Sequence, residues 1–436
     1  MSCKPIVDAI RKTRVGITTG ILSLSALAPC TPAGAHSVTV LHSFCSQANC
    51  TDGSYPGSLV EDKAGDFYGT ADGGANQAGL IFALTPDEGG GYTYSVLYNF
   101  CSEVDCYDGE YPSFNGSLVL DKRGNLYGAT EEGGAVGEGG GGEVFELEHK
   151  AGQWKLKVLH SFCGGCGDPL AGLTYAGAAS GALYDGNSPL YGTAISLYGS
   201  VYELQRGAKA WTEQVIYNFC SQANCSDGNY PEDSLTLDAS GNLYGTTASG
   251  GDSGGHGVAF ELSPNGGAWT ETVLHQFCSY ADCADGYYPT GGVVMDASGN
   301  LYSTTGFGGA SGANGVAYTI VPNGLNSEFT VLHTFCQKRG CPDGDPWATP
   351  VLDRKADVIG TAPLGGDSKY AFEGGGTIFK LNAAKFRVLY KFCPETGCPD
   401  GEKPYTTAIR DRSGNLFGTT SMGGANNTGT IYEWTP

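Results

Sequence analysis

The sequence predicts an all-β fold, a seven-bladed β-propeller with four antiparallel strands in each blade. Two observations carry this prediction: seven regularly spaced cysteine pairs, and four strand-like segments in each interval between them. A third observation, the type of strand found at each end of the repeated region, predicts that the N-terminal strand completes the last blade. Radial stacking of blades buries both faces of every sheet and leaves only short edges.

The cysteine pairs define the repeat. The first cysteine of each pair follows a phenylalanine, and successive first cysteines lie 56, 62, 57, 58, 58 and 57 residues apart. One structural unit of this length has therefore been repeated seven times. The pairs are Cys45/Cys50, Cys101/Cys106, Cys163/Cys166, Cys220/Cys225, Cys278/Cys283, Cys336/Cys341 and Cys393/Cys398.

Each repeat contains four predicted strands, as the fourth repeat illustrates. Segments Ser234–Asp238 and Leu243–Thr247 flank an Ala-Ser-Gly-Asn turn, and glycine and asparagine between two alternating runs favour a tight hairpin. After a glycine-rich loop come Gly257–Leu262 and Trp269–Phe277, and the latter continues into the next cysteine loop. The 70 glycines and the weak helical periodicity argue against helices outside the N-terminal segment.

The two ends of the repeated region are complementary. Ser37–Phe44 matches a fourth strand, and Gly429–Trp434 matches a third strand with no fourth after it. We therefore expect one domain over residues 36–436, and a β-solenoid or two packed β-sandwiches are less favoured alternatives. The predicted blades are 56–100, 112–162, 169–219, 231–277, 289–335, 346–392, and 404–434 joined by 37–44.

Residues 1–35 are predicted to be a secretory signal peptide. Four basic residues precede the apolar run Val15–Ala28, and Ala33-Gly34-Ala35 offers a small-residue cleavage site. The apolar run is too short to span a bilayer. Lipidation of Cys30 is the alternative, although Pro29 fits such a site poorly. We expect export to the periplasm or the cell exterior, with no membrane insertion after cleavage.

The charge balance excludes two classes of partner. The chain has 24 basic and 45 acidic residues, a net charge of −21. Removal of the signal peptide would take away four basic residues and one acidic residue, which makes the charge more negative still. Strong negative charge opposes binding to nucleic acid and to anionic membranes.

Export together with an even set of closely spaced cysteines predicts seven disulfides and no free thiol in the mature protein. Each disulfide would close a loop between two blades. A zinc half-site is the alternative for the five-residue spacing, and a redox-active pair is the alternative for Cys163/Cys166.

The repeated motifs resemble a known family. Leu-Tyr-Gly-Thr-Thr, then Gly-Gly, Gly-x-Val-Phe-Glu-Leu, Val-Leu-His-x-Phe and Asp-Gly-x-x-Pro recur over residues 37–436. This pattern is similar to the GloVer tandem repeat of exported bacterial proteins. The resemblance implies an exported bacterial propeller of largely undefined biochemical role, often held to the surface by a C-terminal anchor. This chain departs from that expectation, because it stops at Trp434-Thr-Pro436 with no sorting tail.

Candidate ligand-binding residues recur beside the cysteine loops. Aromatic rings and carboxylates near a central opening suit sugars, and carboxylates also suit calcium, the one cofactor considered. The alternative is structural, since Asp-Gly is ordinary turn chemistry and a residue present in every blade often holds the blade together. The aspartates are Asp52, Asp108, Asp168, Asp227, Asp285, Asp343 and Asp400, and the tyrosines are Tyr55, Tyr111, Tyr230 and Tyr288.

Blade 6 departs most from the repeat. Its cysteine loop carries Lys338, Arg339 and Asp343, followed by Trp347, and a later loop carries charged residues of both signs. Charges beside a tryptophan predict a binding patch, whereas a solvated loop that has drifted is the alternative. The fourth-strand histidines His42, His160, His275 and His333, which alternate with Tyr98, Tyr217 and Tyr390, are predicted to be packing residues.

Three functions remain open. The first is a non-catalytic binding propeller that recognises a glycan or another cell-surface component through the cysteine-loop face. The second is a carbohydrate-active enzyme, a lyase or hydrolase, with acidic residues at the central opening. The third is a structural envelope or adhesion module. No nucleotide, phosphate or zinc motif is present. No catalytic residue and no metal site is predicted, and the oligomeric state is left open.

Overall fold

The computed structural model describes residues 37–114, 116–134, 140–164, 167–251, 254–310, 314–366, 368–369, 371, 373–382 and 385–436. The predicted signal peptide at residues 1–35, Cys30 and Cys166 lie outside the described residues. The described part contains β-strands and short 3-10 helices but no α-helix. The 3-10 helices are Ala48–Cys50, Val104–Cys106, Ala178–Ser180, Ala223–Cys225 and Ala281–Cys283.

Seven antiparallel sheets are present, called blades 1 to 7 in the order of their first strands. The first and second strands of each blade form a hairpin. The first strands are Ser54–Glu61, Glu110–Pro112 with Val119–Leu120, Thr174–Tyr175, Thr236–Leu237, Val294–Met295, Val351–Leu352 and Ile409–Arg410. The second strands are Phe67–Asp72, Leu126–Glu132, Leu190–Ala194, Leu243–Thr247, Leu301–Thr304, Val358–Ala362 and Leu416–Thr420.

The third and fourth strands lie further out. The third strands are Leu80–Pro86, Glu143–Lys150, Ser200–Arg206, Val258–Asn265, Val316–Val321, Thr377–Asn382 and Thr430–Thr435. The fourth strands are Tyr92–Asn99, Gln153–Ser161, Trp211–Asn218, Ala268–Gln276, Glu328–Thr334, Lys385–Lys391 and Ser37–Ser43. The first strands of several blades line one central channel of about 460 Å³, which places them on the axis of the ring.

The ring is closed by the two ends of the repeated region, as predicted. Ser37–Ser43 pairs antiparallel with Thr430–Thr435 and so forms the fourth strand of blade 7. At this junction the Phe44 amide donates to the Gly429 carbonyl over 3.1 Å. The equivalent bond within blade 1 joins the Phe100 amide to the Gly79 carbonyl over 3.0 Å. The closing strand therefore makes the same contact as a fourth strand within the continuous chain.

The apolar core lies between neighbouring blades. One cluster packs Ile81 of blade 1 against Phe145 of blade 2, and another packs Ile431 of blade 7 against Phe82 of blade 1. Burying one such phenylalanine contributes about 1.5–3 kcal/mol. The phenylalanine before each cysteine pair is at most 5% exposed, and these residues are Phe44, Phe100, Phe162, Phe219, Phe277, Phe335 and Phe392.

A glycine and a proline meet at most blade junctions. A Cβ atom on Gly79 would lie 2.2 Å from Pro112 Cδ of the next blade, and one on Gly257 would lie 2.7 Å from Pro289 Cδ. Both glycines also have a φ of +93°. Only glycine combines this backbone conformation with so close an approach. The glycine that begins each third strand and the proline after each cysteine loop are therefore two sides of one contact.

Each fourth strand contains a β-bulge just before its repeated histidine or tyrosine. In blade 1, Val96 pairs with Phe82 and Tyr98 pairs with the adjacent Ile81, so Leu97 is the extra residue. Adjacent third-strand residues point to opposite faces, so Val96 and Tyr98 also face opposite ways. The same register shift occurs in all seven blades. The bulge turns the histidine or tyrosine toward the following blade.

Two buried tyrosines test how well the third strands are packed. Tyr202 and Tyr432 occupy a position where four other blades have phenylalanine. Their buried hydroxyls have no hydrogen-bond partner among the described residues. We expect Tyr202→Phe and Tyr432→Phe to leave the free energy of unfolding unchanged or to raise it by up to about 1 kcal/mol, because an unpaired buried hydroxyl is removed. Chemical denaturation of each variant measures the change.

Tyr94→Phe is the matched control for these substitutions. The Tyr94 hydroxyl donates to the Asp52 carbonyl over 2.7 Å, and its loss should lower the free energy of unfolding by about 1 kcal/mol. An equal loss in Tyr202→Phe would mean that its hydroxyl has a partner after all.

Candidate ligand-binding site at the central opening

The propeller has two faces with different loop chemistry. One face, called the cysteine face, carries the loops that enter each first strand and those that leave each second strand. The opposite face carries tight turns in which an aspartate accepts amide hydrogen bonds, as Asp238 does from Ser240 and Asn242. The predicted candidate residues all come from loops of the cysteine face.

Six of the predicted disulfides are present, and each closes a loop between two blades as expected. Cys163 is also disulfide-bonded, whereas Cys166, its predicted partner, lies outside the described residues. Both cysteines of each of these six pairs adopt positive φ, such as 58° at Cys278 and 49° at Cys283. The six disulfides are Cys45–Cys50, Cys101–Cys106, Cys220–Cys225, Cys278–Cys283, Cys336–Cys341 and Cys393–Cys398.

The aspartate of a cysteine loop bonds the loop that contains it. Asp285 is 0% exposed, and its carboxylate accepts the amide and hydroxyl of Ser279 and the amide of Tyr280. It also contacts His275 Nε2 of the preceding fourth strand over 3.0 Å. One carboxylate thus joins the fourth strand of blade 4 to the loop that leads into blade 5. We call this arrangement the carboxylate clamp.

The clamp recurs at most blade junctions with histidine or tyrosine as the strand partner. Tyr98, Tyr217 and Tyr390 donate from their hydroxyls, and His333 contacts through Nε2. At the ring closure the His42 Nε2 to Asp52 Oδ2 distance is 3.5 Å. These fourth-strand residues therefore do more than pack. The clamp carboxylates are Asp52, Asp108, Asp227, Asp285, Asp343 and Asp400.

Hydrogen bonds lower the pKa of four clamp carboxylates, Asp52, Asp108, Asp285 and Asp343, whereas burial raises the pKa of Asp400. Burial works to raise the pKa of Asp285, but hydrogen bonds from His275, Ser279 and Tyr280 together lower it below its usual value. The same balance lowers the pKa of Asp108, where Tyr98 is a main donor. Asp52, Asp108, Asp227 and Asp285 are at most 2% exposed, so their carboxylates are shielded from solvent and bond the loops that contain them.

Asp168 does not belong to this set, which corrects the expectation from the sequence. Its amide donates to the Gly141 carbonyl of the preceding blade, as the Tyr111 amide donates to the Ala78 carbonyl. Its φ is 65° and it precedes a proline, so it occupies the position of the repeated tyrosine. His160, the strand residue before it, consequently has no clamp carboxylate in its loop.

The repeated tyrosines have different surroundings. Tyr55 and Tyr111 are each 41% exposed and line a cavity of about 500 Å³ at the cysteine-face end of the central channel. Tyr230 and Tyr288 do not line it. We call this cavity the central opening. Its other lining residues are Asp72, Pro112, Phe114, Glu131, Tyr405, Ser421 and Met422.

Two carboxylates make the central opening asymmetric. Asp72 and Glu131 are at equivalent positions, each directly after the Gly-Thr-Ala or Gly-Ala-Thr segment of a second strand, where the other blades have no acidic residue. Burial raises the pKa of Glu131 to about 7, and the nearby Asp72 charge adds to the shift. Burial also raises the pKa of Asp72.

Two residues of blade 2 that line the central opening, Phe114 and Glu131, have no equivalent in the repeat pattern. Phe114 lies in the stretch between Pro112 and Leu118, which is three residues longer than the equivalent stretch between Pro56 and Leu59 of blade 1. Phe114 and Glu131 are thus both departures from the repeat. Sequence analysis missed these two residues and Asp72, although comparison of each blade with the repeat pattern would have found them.

A second aromatic group lies between blades 5 and 6. Trp347 packs edge-on against Phe307 at a ring distance of 5.4 Å, and Tyr288 lies 6.3 Å from Trp347. Asp345 beside them is 4% exposed, and burial raises its pKa to about 7. The predicted blade 6 patch is therefore divided: Trp347 packs inward, while Lys338 lines a separate pocket at the rim and Arg339 is exposed.

The opposite end of the channel carries an insertion in blade 3. Fourteen residues separate Thr174–Tyr175 from Leu190–Ala194, whereas five separate Thr236–Leu237 from the next strand of blade 4. Ala178 and Ala182 of the insertion line the channel together with first-strand residues. The insertion therefore lies at the end of the channel opposite the cysteine face.

Loss of the Asp285 carboxylate tests whether the clamp is structural. Asp285→Asn removes the charge that accepts four hydrogen bonds, so we expect the free energy of unfolding at pH 7 to fall by about 2–3 kcal/mol. Since the pKa of Asp285 is lowered by folding, its stabilisation exists above its ordinary pKa of about 4 and disappears as the pH falls below that value. The difference between wild type and variant should therefore shrink in acid.

Asp282→Asn is the control, because Asp282 is an exposed neighbour in the same loop. It should change the free energy of unfolding by less than about 0.5 kcal/mol. Unchanged stability of Asp285→Asn with lost ligand binding would show instead that this carboxylate faces a ligand.

Within the described residues, no helix is long and apolar enough to cross a membrane. Solved structures that match the fold have low identity to this chain. An α-L-arabinanase from Penicillium chrysogenum complexed with arabinobiose shares 11% identity at a TM-score of 0.45, covering 92% of this chain and 98% of that one. A sialidase from Trypanosoma rangeli shares 9% identity at a TM-score of 0.42, covering 93% and 59%.

No curated protein matched the chain. The family model described as the Gloeobacter/Verrucomicrobia repeat matches residues 26–195, 175–372 and 285–436. The resemblance inferred from the repeated motifs is thereby confirmed. This chain belongs to the Gloeobacter/Verrucomicrobia repeat family.

Proposed function

We propose that this protein is an exported, non-catalytic binding propeller that recognises a glycan through the central opening. The observation that supports it most is the grouping of Tyr55, Tyr111 and Tyr405 with Asp72 and Glu131 around one cavity. A cavity of about 500 Å³ is within the range of small-molecule sites. The disulfides are in keeping with an oxidising compartment outside the cytoplasm.

The chemistry of the opening suits a sugar better than most other ligands. Aromatic rings provide flat apolar faces, on which the C–H faces of sugar rings pack. Asp72 and Glu131 provide oxygen atoms for hydroxyl groups, and a protonated Glu131 would also donate a hydrogen bond. Blades 7, 1 and 2 all contribute, so a ligand would bridge the junction at which the ring closes.

The central tyrosines provide a test with a matched control. We expect Tyr55→Ala and Tyr111→Ala each to weaken binding of a neutral oligosaccharide at least about tenfold, because each removes an aromatic face from the cavity. Tyr230→Ala removes the same repeat residue at a position outside the cavity and should bind as wild type does. A glycan array followed by calorimetry on residues 36–436 measures these affinities, with calcium and with EDTA in parallel.

Equal loss in all three variants would show that the tyrosines act through the fold. No binding of any glycan by the wild type would favour a structural envelope or adhesion module instead.

Catalysis is the second candidate, favoured by the pair of carboxylates. Hydrolysis of a glycosidic bond commonly uses one carboxyl group that is protonated and one that is ionised. The pKa of about 7 for Glu131 would let it hold a proton at neutral pH. Asp72 would then be the base or nucleophile.

This second candidate is tested by product release. If Glu131 is a general acid, turnover should fall as the pH rises through about 7, and Glu131→Gln should lower the rate at least about 100-fold. Chromatography of the samples used for binding detects released sugars. Glu132→Gln is the control, because its exposed neighbouring carboxylate does not line the cavity. Binding without product in the wild type would leave the non-catalytic proposal standing alone.

A further inference from the structure

A second pocket lies at the rim of the cysteine face, between blades 5 and 6. Its volume is about 310 Å³, and it shares no lining residue with the central opening. It is formed by the cysteine loop after blade 5 and by the fourth strand of blade 6. Three cationic side chains, Lys338, Arg387 and Lys391, line it together with Phe386 and Val388. We call it the rim pocket.

The rim pocket lies in the most basic part of an acidic protein. Residues 336–392 contain nine of the 24 Lys and Arg residues and six Asp or Glu residues. Residues 210–335, which span the last strand of blade 3 and all of blades 4 and 5, contain no Lys or Arg and twelve Asp or Glu residues. The charge thus changes sign from one side of this junction to the other, and such a gradient guides an anion toward the basic side.

Two of the cations that line the rim pocket, Lys338 and Arg387, are not paired with nearby carboxylates in the described part of the chain. Asp343, the acidic residue that lines it, belongs to the carboxylate clamp and contacts His333 Nε2 over 3.0 Å. Among the residues that the structure describes, neither Lys338 nor Arg387 makes an ion pair. Both side chains are exposed at the mouth of the pocket, so they can bind an anion from solution.

Comparison with the preceding junction shows that these cations are not part of the repeat. Between blades 4 and 5, Tyr280, Thr330 and Thr334 occupy the positions of Lys338, Arg387 and Lys391. Both junctions have a carboxylate clamp to a strand histidine, His275–Asp285 in one and His333–Asp343 in the other. The scaffold therefore does not require positive charge at these three positions.

The floor of the pocket is apolar. The Phe386 ring stacks on His333 at a centroid distance of 3.7 Å and an angle of 6°, which holds it in place. A bare inorganic ion would gain nothing from this surface, whereas a sugar ring that carries an acid group would use both the floor and the cations. Arginine binds carboxylate and sulfate oxygens with paired hydrogen bonds, and lysine adds a point charge.

We propose that the rim pocket binds the carboxylate or sulfate group of an acidic sugar residue. This inference rests on the proposed function, because it names the class of glycan that the protein recognises. The rim pocket holds the acid group, and the central opening holds a separate, neutral part of a ligand. Binding at the rim pocket should weaken with salt, since its cations are exposed.

The test uses matched ligands and matched variants. Trigalacturonic acid, its uncharged methyl ester, and a sulfated galactan oligosaccharide are titrated into wild-type residues 36–436 at low salt. At least one of the two acidic ligands should bind tenfold or more tightly than the ester, and 0.5 M NaCl should remove most of that advantage. The carboxylate and the sulfate ligand distinguish which acid group the pocket prefers.

The double variant Lys338→Ala/Arg387→Thr should lose at least tenfold in affinity for the acidic ligand and leave binding of the ester unchanged. Threonine is the residue that blade 5 has at the Arg387 position, so the strand should tolerate it. Lys63→Ala/Lys209→Ala removes the same charge from exposed sites elsewhere and should bind as wild type does. Unfolding midpoints confirm that all variants are folded.

The possible failures are distinguishable. Equal affinity for acid and ester, no binding of either acidic ligand, or an acid preference that survives in Lys338→Ala/Arg387→Thr would each overturn the rim-pocket proposal. Loss of ester binding in Tyr111→Ala would still support the central opening in those cases. An acid preference that is lost equally in the Lys63→Ala/Lys209→Ala control would show a general charge effect and would also overturn it.

Discussion

The carboxylate clamp is the interaction on which the geometry of the cysteine face depends. A buried aspartate such as Asp285 satisfies the amides of its own loop and at the same time holds His275 of the preceding fourth strand. Covalent closure alone would leave the loop free to turn about its two ends. With the clamp, the loop is fixed relative to both blades, so the proline that follows it reaches the glycine of the preceding third strand.

The clamp also limits where function can lie. The clamp residues that recur at most blade junctions hold neighbouring blades together, and four of their carboxylates, those of Asp52, Asp108, Asp227 and Asp285, are at most 2% exposed. The residues proposed to bind ligands therefore include several at which a blade departs from the repeat. Asp72, Phe114 and Glu131 are departures at the central opening, and Lys338 and Arg387 are departures at the rim pocket. Blades 4 and 5, which follow the repeat closely, contribute no residue to the central opening. Of their strand residues, only His333 and Thr334 of blade 5 line the rim pocket.

The carboxylate clamp corresponds to a fixed spacing in the sequence, which sequence analysis did not recognise. The fourth-strand histidine or tyrosine and the loop aspartate are ten residues apart in six repeats, as in His275 and Asp285. Asp168 breaks this spacing, because the residue ten before it is not the strand histidine His160. The ten-residue spacing would thus have shown that Asp168 is not equivalent to the clamp aspartates. It would not have shown the β-bulge, since Val96 and Tyr98 lie two apart and would face the same way on a regular strand.

The sequence by itself determined the number of blades, the four strands in each blade, the six cysteine pairs within the described residues and the closure of the ring. These features depend on local periodicity and on a repeat that is visible over the whole chain. Only the tertiary structure decided which candidate residues meet. Tyr55 and Tyr111 share a cavity with Tyr405, 350 and 294 residues further along, whereas Tyr230 of the same motif does not. The reason is physical: ring closure brings the ends of the chain together, and identical motifs then differ only in what their neighbouring blades place beside them.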